Sequence, residues 1–443
     1  MNDTPAADKP LHERRNGVSR REFIMGSASA ALLASTAAVG CRTHKSANRT
    51  VKIGLVSPVT GSLAAFSEAD PFVLAGFRRA VAGGLMIAGR IHPVEIIEKD
   101  SKSDPNRAAE VASDLIKIEE VDLILCAHTP ETVNPVSDQA EINEVPCIST
   151  DAPWQPYFYG RGGKPEEGFD WTYHFFWGTK QLATVHSNLW ESLSTNRVVG
   201  ALWANDNDGN SFSDPQMGFP PVLAARGFKI IDTGRFQPDT NDFSAQISAF
   251  KKANVEILEG ALPPPVFATF WSQAAQQGFR PKVASIAKAL LFPAAVESLG
   301  ERADKLATEV WWSRSHPFRS GLTGQTAEEF CAAFEKTTGK QWTQPMGFKD
   351  ALLDVAVDVL KRTKDIDSPA AIRDAIRATN HQTIVGPIAW TGDPIRNVCK
   401  TPLVGGQWVM GNRPHFNLLI VNNKGEEEIP TQAVLQPLAY TGV

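Results

Sequence analysis

The residues most able to take part in nucleophilic or metal chemistry here are nine histidines and five cysteines. None of them stands at a spacing that such chemistry needs. The chain has no H-E-x-x-H pair, no G-x-S-x-G elbow, no P-loop and no dinucleotide fingerprint after a strand. His128 and His316 have no carboxylate or cysteine at motif spacing. Cys126 and Cys147 lie inside apolar runs, which predicts buried free thiols, and spacing alone pairs neither them nor Cys331 and Cys399. The chemistry left is recognition rather than reaction. Residues 60–67 put Thr60, Ser62 and Phe66 on a polar loop directly after an apolar stretch. No cofactor, no metal and no enzymatic activity are expected.

The elements that position this loop are legible in the apolar pattern. Val51, Ile53, Leu55 and Val56 are dense enough for a strand buried on both faces, and Pro58 with Thr60-Gly61 ends it. A chain opening this way begins a doubly wound α/β sheet, whose ligands sit at the carboxyl ends of the strands. A second strand over 92–98 follows. Asp104 before Pro105 marks a helix start, with Ala108, Val111, Ala112 and Leu115 at helical spacing. Strands at 121–126 and 145–149 bracket a helix over 136–142, so the pairing is parallel and the crossovers right-handed. Residues 150–168, with Trp154, Tyr157, Phe158 and Tyr159 among glycines and prolines, read as a long loop. From Trp171 to about residue 313 the βα rhythm returns, which implies a second lobe. Helices then follow at 327–337, 347–361 and 369–378, and a β-rich tail has its clearest strand at 414–422.

About fifty residues precede the fold. Ser19-Arg20-Arg21-Glu22-Phe23-Ile24-Met25 and the small apolar run after it resemble a twin-arginine export signal, and that run is too short to span a membrane. Ala38-Val39-Gly40-Cys41 resembles a lipoprotein cleavage site, at which the cysteine becomes acylated. The expectation is a signal peptide over 1–40, a linker over 41–50 and a membrane tether through Cys41, the alternative being cleavage nearby to a free protein. A length of 443 residues suits two domains. The formal net charge of −5 argues against nucleic acid as a partner.

Taken in order, several segments resemble the type I periplasmic solute-binding proteins of the branched-chain amino acid and amide branch, which serve ATP-driven importers. They are Ile53-Gly54-Leu55-Val56-Ser57-Pro58-Val59-Thr60-Gly61, Asp100 with Asp104-Pro105, Val145-Pro146-Cys147-Ile148-Ser149, Asp239-Thr240-Asn241-Asp242-Phe243-Ser244-Ala245-Gln246, and residues 273–278. The resemblance implies two doubly wound α/β lobes joined by three crossover segments, near 175–177, 310–313 and 391–394. Lobe I is then 51–176 with 311–392, and lobe II is 177–310 with 393–443. It further implies an interlobe cleft that closes by hinge motion on a small organic solute (amino acid, amide, or carboxylate or aromatic acid), with ABC permease and ATPase subunits as partners. A sensor for a membrane kinase and an exported hydrolase are the alternatives.

Carried onto this chain, the family's contacts give Thr129 and Thr132, at a helix start, a substrate carboxylate to hold. Ser149, Thr150 and Asp151 receive an ammonium or amide. Ser62, Phe66 and Trp154 line the first lobe, with Trp311 and Trp312 as further wall candidates. Asp208, Gly260 and Lys288 face them from the second lobe. Two departures stand out: Asp208 before Gly209 where relatives have a stacking tyrosine, and Lys288 where amino-acid binders have an acid. A cleft-facing lysine favours a second carboxylate or carbonyl on the solute.

Overall fold

The structure is a computed structural model and describes residues 48–412 and 416–440. The twin-arginine segment and Cys41 lie outside the described residues. Two parallel-dominated sheets carry the chain. The first has six strands in the order Val398–Cys399, Thr172–Phe175, Cys147–Thr150, Leu123–Cys126, Val51–Ser57 and Val94–Asp100, every pair parallel. The second runs Phe416–Asn422, Val404–Met410, Ala307–Val310, Val283–Lys288, Ile257–Leu262, Val198–Trp203 and Lys229–Asp232. Its two C-terminal strands pair antiparallel and the rest parallel. The central strands are buried on both faces because helices cover both sides, which is why they read as continuous apolar runs rather than alternation.

Local chemistry explains how the helices seat on these sheets. The helix Pro105–Lys117 starts at Asp104, whose carboxylate accepts from the Arg107 amide at 2.7 Å. Its Leu115 side chain lies against Gly54 so closely that a Cβ there would approach it to 2.9 Å, which is why the opening strand carries glycine at its centre. The long helix Gln344–Arg362 is buried along most of its length and packs on the first sheet. One apolar cluster runs continuously through both lobes, and a smaller one fills the outer face of the first sheet beneath Pro105–Lys117 and Pro130–Ile142.

The chain leaves the first sheet after Phe175, leaves the second after Val310, and returns to the second at Val404. The third passage falls later than the expected 391–394, because Val398–Cys399 hydrogen-bonds beside Thr172–Phe175 as an edge strand of the first sheet. A two-residue strand carries too little pattern to be read from sequence. Residues 150–168 also differ from expectation. They hold a short helix, Trp154–Phe158, whose Tyr157 stacks on His174 at 4.1 Å, and the Arg161 guanidinium lies 4.0 Å from the Phe169 ring centre. These aromatics pack onto their own lobe. No helix among the described residues is long and apolar enough to cross a membrane.

Candidate functional site

The carboxyl ends of the two sheets face each other, and the segments that follow the strands line a cavity of ≈ 20 Å³ between them. That is about the room of a single water, so the lobes are closed on one another. From the first lobe come Phe66, Thr129, Pro130, Asp151 and Pro153. The second contributes Asp208, Phe212, Ala287, Lys288, Leu291 and Glu309, and the passages between sheets supply Phe176, Trp177 and Trp311. The rings make the interlobe contact apolar: Phe66 meets Phe292 edge-on at 4.9 Å, and Phe176 meets Trp311 edge-on at 4.9 Å.

On the first lobe the polar groups come from adjacent strand ends. Parallel pairing sets Cys126 opposite Ser149, so two residues further along His128 lies opposite Asp151. His128 Nδ1 stands 2.7 Å from Asp151 Oδ2. On its other side His128 Nε2 lies 3.7 Å from Asp70, which is bound by the buried Lys349 ammonium at 3.0 Å. Burial opposes ionisation of Asp70, yet Lys349 and His128 outweigh it and hold this carboxyl below its usual range. For Asp151 burial wins over His128 and Lys349, and its carboxyl is pushed up. Three residues here, His128, Thr129 and Asp151, take positive φ of 74°, 70° and 61°. Such conformations cost non-glycine residues energy, most of all a β-branched threonine, and strain of this kind gathers at functional sites.

The second lobe holds a compact charge cluster. Asp206 caps the short helix Asn207–Phe212 by accepting from the Gly209 amide at 2.7 Å. Gly209 is required there, since a Cβ would fall 2.0 Å from the Ala204 carbonyl oxygen. This turn presents Asp208 to Lys288, which ends the strand Val283–Lys288 with φ +64°. Lys288 Nζ lies 2.5 Å from Asp208 and 3.5 Å from Asp206. Burial opposes the ammonium, but Asp206, Asp208 and Glu131 overcome it and hold Lys288 well above the ordinary lysine value. Asp208 is pushed up to about 7 by burial, with Lys288 working against that and Glu131 and Asp206 adding to it. Two carboxylates thus contact one ammonium, and the charge of Glu131 acts on both Lys288 and Asp208 from the opposite lobe.

The structure brings together Phe66, Thr129, Asp151, Asp208 and Lys288 from the expected set. It does not bring the others. Ser62 is exposed, and Trp154 lines a separate outer groove beside Gln181 and Thr401. Thr132 is committed below the cavity to Ser101 at 3.2 Å. Ser149 Oγ sits 2.9 Å from His174, and Thr150 donates to the Phe175 carbonyl at 2.7 Å. Gly260 packs inside its sheet against Leu202 and Leu262. Trp312 lies under Gly347 rather than at the cleft. The helix start expected to hold a carboxylate keeps the Thr129 hydroxyl buried at the cavity without a partner. Its first residue is Pro130, which has no N–H; Thr129 N donates to the Asp151 carbonyl at 2.9 Å, and Thr132 N to the Thr129 carbonyl at 3.1 Å. Lys288 likewise is already neutralised by its own lobe, so it is not a free cation for a solute acid. Reading from residues alone missed Asp70, Lys349 and Phe176, and it left His128 without a partner although strand register supplies one. Among the described residues no group of histidine, cysteine and carboxylate side chains is placed to hold a metal ion.

A cavity walled by two α/β lobes at their strand ends, with the chain passing between them, is an architecture that known proteins share. The sequence profile of periplasmic binding proteins matches residues 50–408. The chain belongs to that family. Its fold is the periplasmic binding protein type I fold. Among similar solved structures is the leucine-binding protein LivK of Thermotoga maritima, at 20% identity and a TM-score of 0.68, covering 85% of this chain and 99% of that one. The LivJ protein of Streptococcus pneumoniae in complex with isoleucine is 17% identical with a TM-score of 0.66, covering 84% and 99%. A solute-binding protein of an ABC transporter from Rhodopseudomonas palustris, in complex with 3,4-dihydroxybenzoic acid, is 18% identical with a TM-score of 0.67, covering 85% and 99%. At these identities the likeness is one of fold.

Proposed function

We propose that this periplasmic binding protein is the extracytoplasmic receptor of an ABC importer. It captures a small organic solute between its lobes and offers the closed form to a permease. The observation that carries this reading is the cavity itself, whose walls come from both sheets and from the passages between them. Opening about those passages admits the solute, and closure removes it from water. The similar structures bound to isoleucine and to 3,4-dihydroxybenzoic acid make amino acids and aromatic acids the reference solutes. Export through the Arg20-Arg21 signal and acylation at Cys41 would keep the receptor beside its permease and the ATPase that drives it. Trp177 and Trp311 line the cavity, so solute binding must change tryptophan emission, and X-ray scattering must report a change in radius of gyration on the same titration. Consumption of the solute during incubation would overturn the receptor reading. Labelled fatty acid incorporated into wild type but not into Cys41→Ser supports the tether; equal labelling refutes it.

A further inference from the structure

We propose that the solute is a compact organic cation, its charged nitrogen held between Asp151 of the first lobe and Asp208 of the second and walled by aromatic rings. This rests on the interlobe cavity being the solute site. The first ground is unpartnered polarity. Asp151 Oδ1 and Asp208 Oδ1 are both buried without a hydrogen-bond partner, and both residues line the cavity. A buried carboxylate oxygen left unpaired is costly enough that native proteins seldom keep one without use, and here two approach one void from opposite lobes.

The second ground is the charge count around that void. Asp151, Asp208 and Glu309 line it, with Asp206 and Glu131 close behind. The lysines are already engaged, Lys288 by Asp208 and Asp206 and Lys349 by Asp70 and by Ser57 Oγ at 2.7 Å. A carboxylate brought into the cavity would meet this acidic excess with no uncommitted lysine, only the neutral donors of the Thr129 hydroxyl and the two indoles. A cation would meet two open carboxylate oxygens. The third ground is the wall. Phe66, Phe176, Trp177 and Trp311 enclose the same space, and aromatic faces attract organic cations, most strongly when both are shielded from water. The indole nitrogens of Trp177 and Trp311 are also buried and unpartnered, so a hydroxyl or carbonyl on the cation would find donors.

The test uses the mature wild-type protein with choline and butylammonium as cationic probes, and leucine and 4-hydroxybenzoate as zwitterionic and anionic ones. Binding is followed by tryptophan emission and calorimetry. The expected result is saturable binding of a cationic probe, weakened at least tenfold by Asp151→Asn and by Asp208→Asn in variants whose circular dichroism matches wild type. Should either variant fail to fold, wild-type calorimetry at pH 5 and pH 8 supplies the alternative: Asp208 is pushed up to about 7, so a cationic probe must bind more weakly at pH 5, and binding equal at the two pH values overturns the assignment. Leucine or 4-hydroxybenzoate binding with an emission change while neither cation binds overturns the cationic assignment and leaves the cleft reading intact. Silence of both cations overturns the assignment too. Solute binding insensitive to Asp151→Asn, Asp208→Asn and Trp311→Phe alike overturns the cleft reading itself.

Discussion

Replacing Lys288 by methionine tests the charge cluster most directly, because it removes the one ammonium that Asp208 and Asp206 share while keeping most of the side chain's length. At 2.5 Å from Asp208 and 3.5 Å from Asp206, the gross attractions are roughly 7 and roughly 5 kcal/mol at an effective dielectric constant of about 20. Most of that offsets the cost of burying three charges. The quantity that matters is what remains when one partner goes, and a buried ion pair broken on one side costs about 3–5 kcal/mol. The loss must depend on pH. Asp208 already sits near 7 with Lys288 present, and without the lysine its carboxyl moves higher still. Below its pKa the residue takes up a proton and the unpaired charge disappears. Urea denaturation of wild type and Lys288→Met at pH 5 and pH 8 reads this out: a deficit of about 3 kcal/mol or more at pH 8, shrinking markedly at pH 5. Equal stability of the two proteins at pH 8 would refute the claim that Lys288 is the cluster's counter-charge. A deficit unchanged between the two pH values would show that the lysine acts through packing alone.

Other consequences are as direct. Asp350 is buried and its carboxyl is pushed up to about 7, so between about pH 4 and 7 the unfolded chain gives up a proton that the folded one keeps, and stability falls as pH rises. In Asp350→Asn that part of the slope of melting temperature against pH must vanish; an unaltered slope refutes it. His174 and His316 act in the opposite sense. Burial holds both near 3, so stability falls as pH drops from about 6.5 toward 3, and His316→Gln must flatten the acid limb of the same curve. Gly209→Ala drives a Cβ to 2.0 Å from the Ala204 carbonyl oxygen and must cost about 2 kcal/mol or more while displacing Asp208; wild-type stability together with wild-type solute affinity would contradict that. The thiols of Cys126, Cys147, Cys331 and Cys399 are buried and unpaired, so Ellman's reagent must find them only after denaturation, and fast reaction of any in the native state refutes their burial.

The parts legible in the residues were those with a local cause. The opening strand, the Asp104-Pro105 helix start and the βα alternation each depend on near neighbours in sequence, and each forms close to its expected place. Asp208 and Lys288 were picked out as opposing bets through a family resemblance, but their mutual pairing was not. They sit at the ends of strands separated by Ile257–Leu262, and only the register of that sheet, with Ala261 opposite both Trp203 and Ala287, brings them together. His128 with Asp151 was within reach of the same reasoning, since both follow adjacent parallel strands. Asp70 and Lys349 were not, being 279 positions apart yet joined at 3.0 Å. Aromatic density misled in one direction: Trp154 lines an outer groove and Tyr157 and Phe158 pack on their own lobe, while Phe176 and Trp177, which wall the cavity, lay in a segment read only as a crossover.

The third passage of the chain, after Cys399, has a bearing on synthesis. The first sheet lacks its edge strand until Cys399 has been made, and the second lacks two strands until Asn422 has. The tail then pins itself back, with Gln436 N donating to Gln407 Oε1 at 2.9 Å and the Tyr440 hydroxyl to the Pro281 carbonyl at 2.7 Å. A growing polypeptide therefore cannot finish one half and put it aside while the other is translated. Both halves come to completion in the last stretch off the ribosome, and a nonsense codon anywhere before residue 422 leaves the second sheet with an open, hydrogen-bonding edge rather than yielding a usable single half.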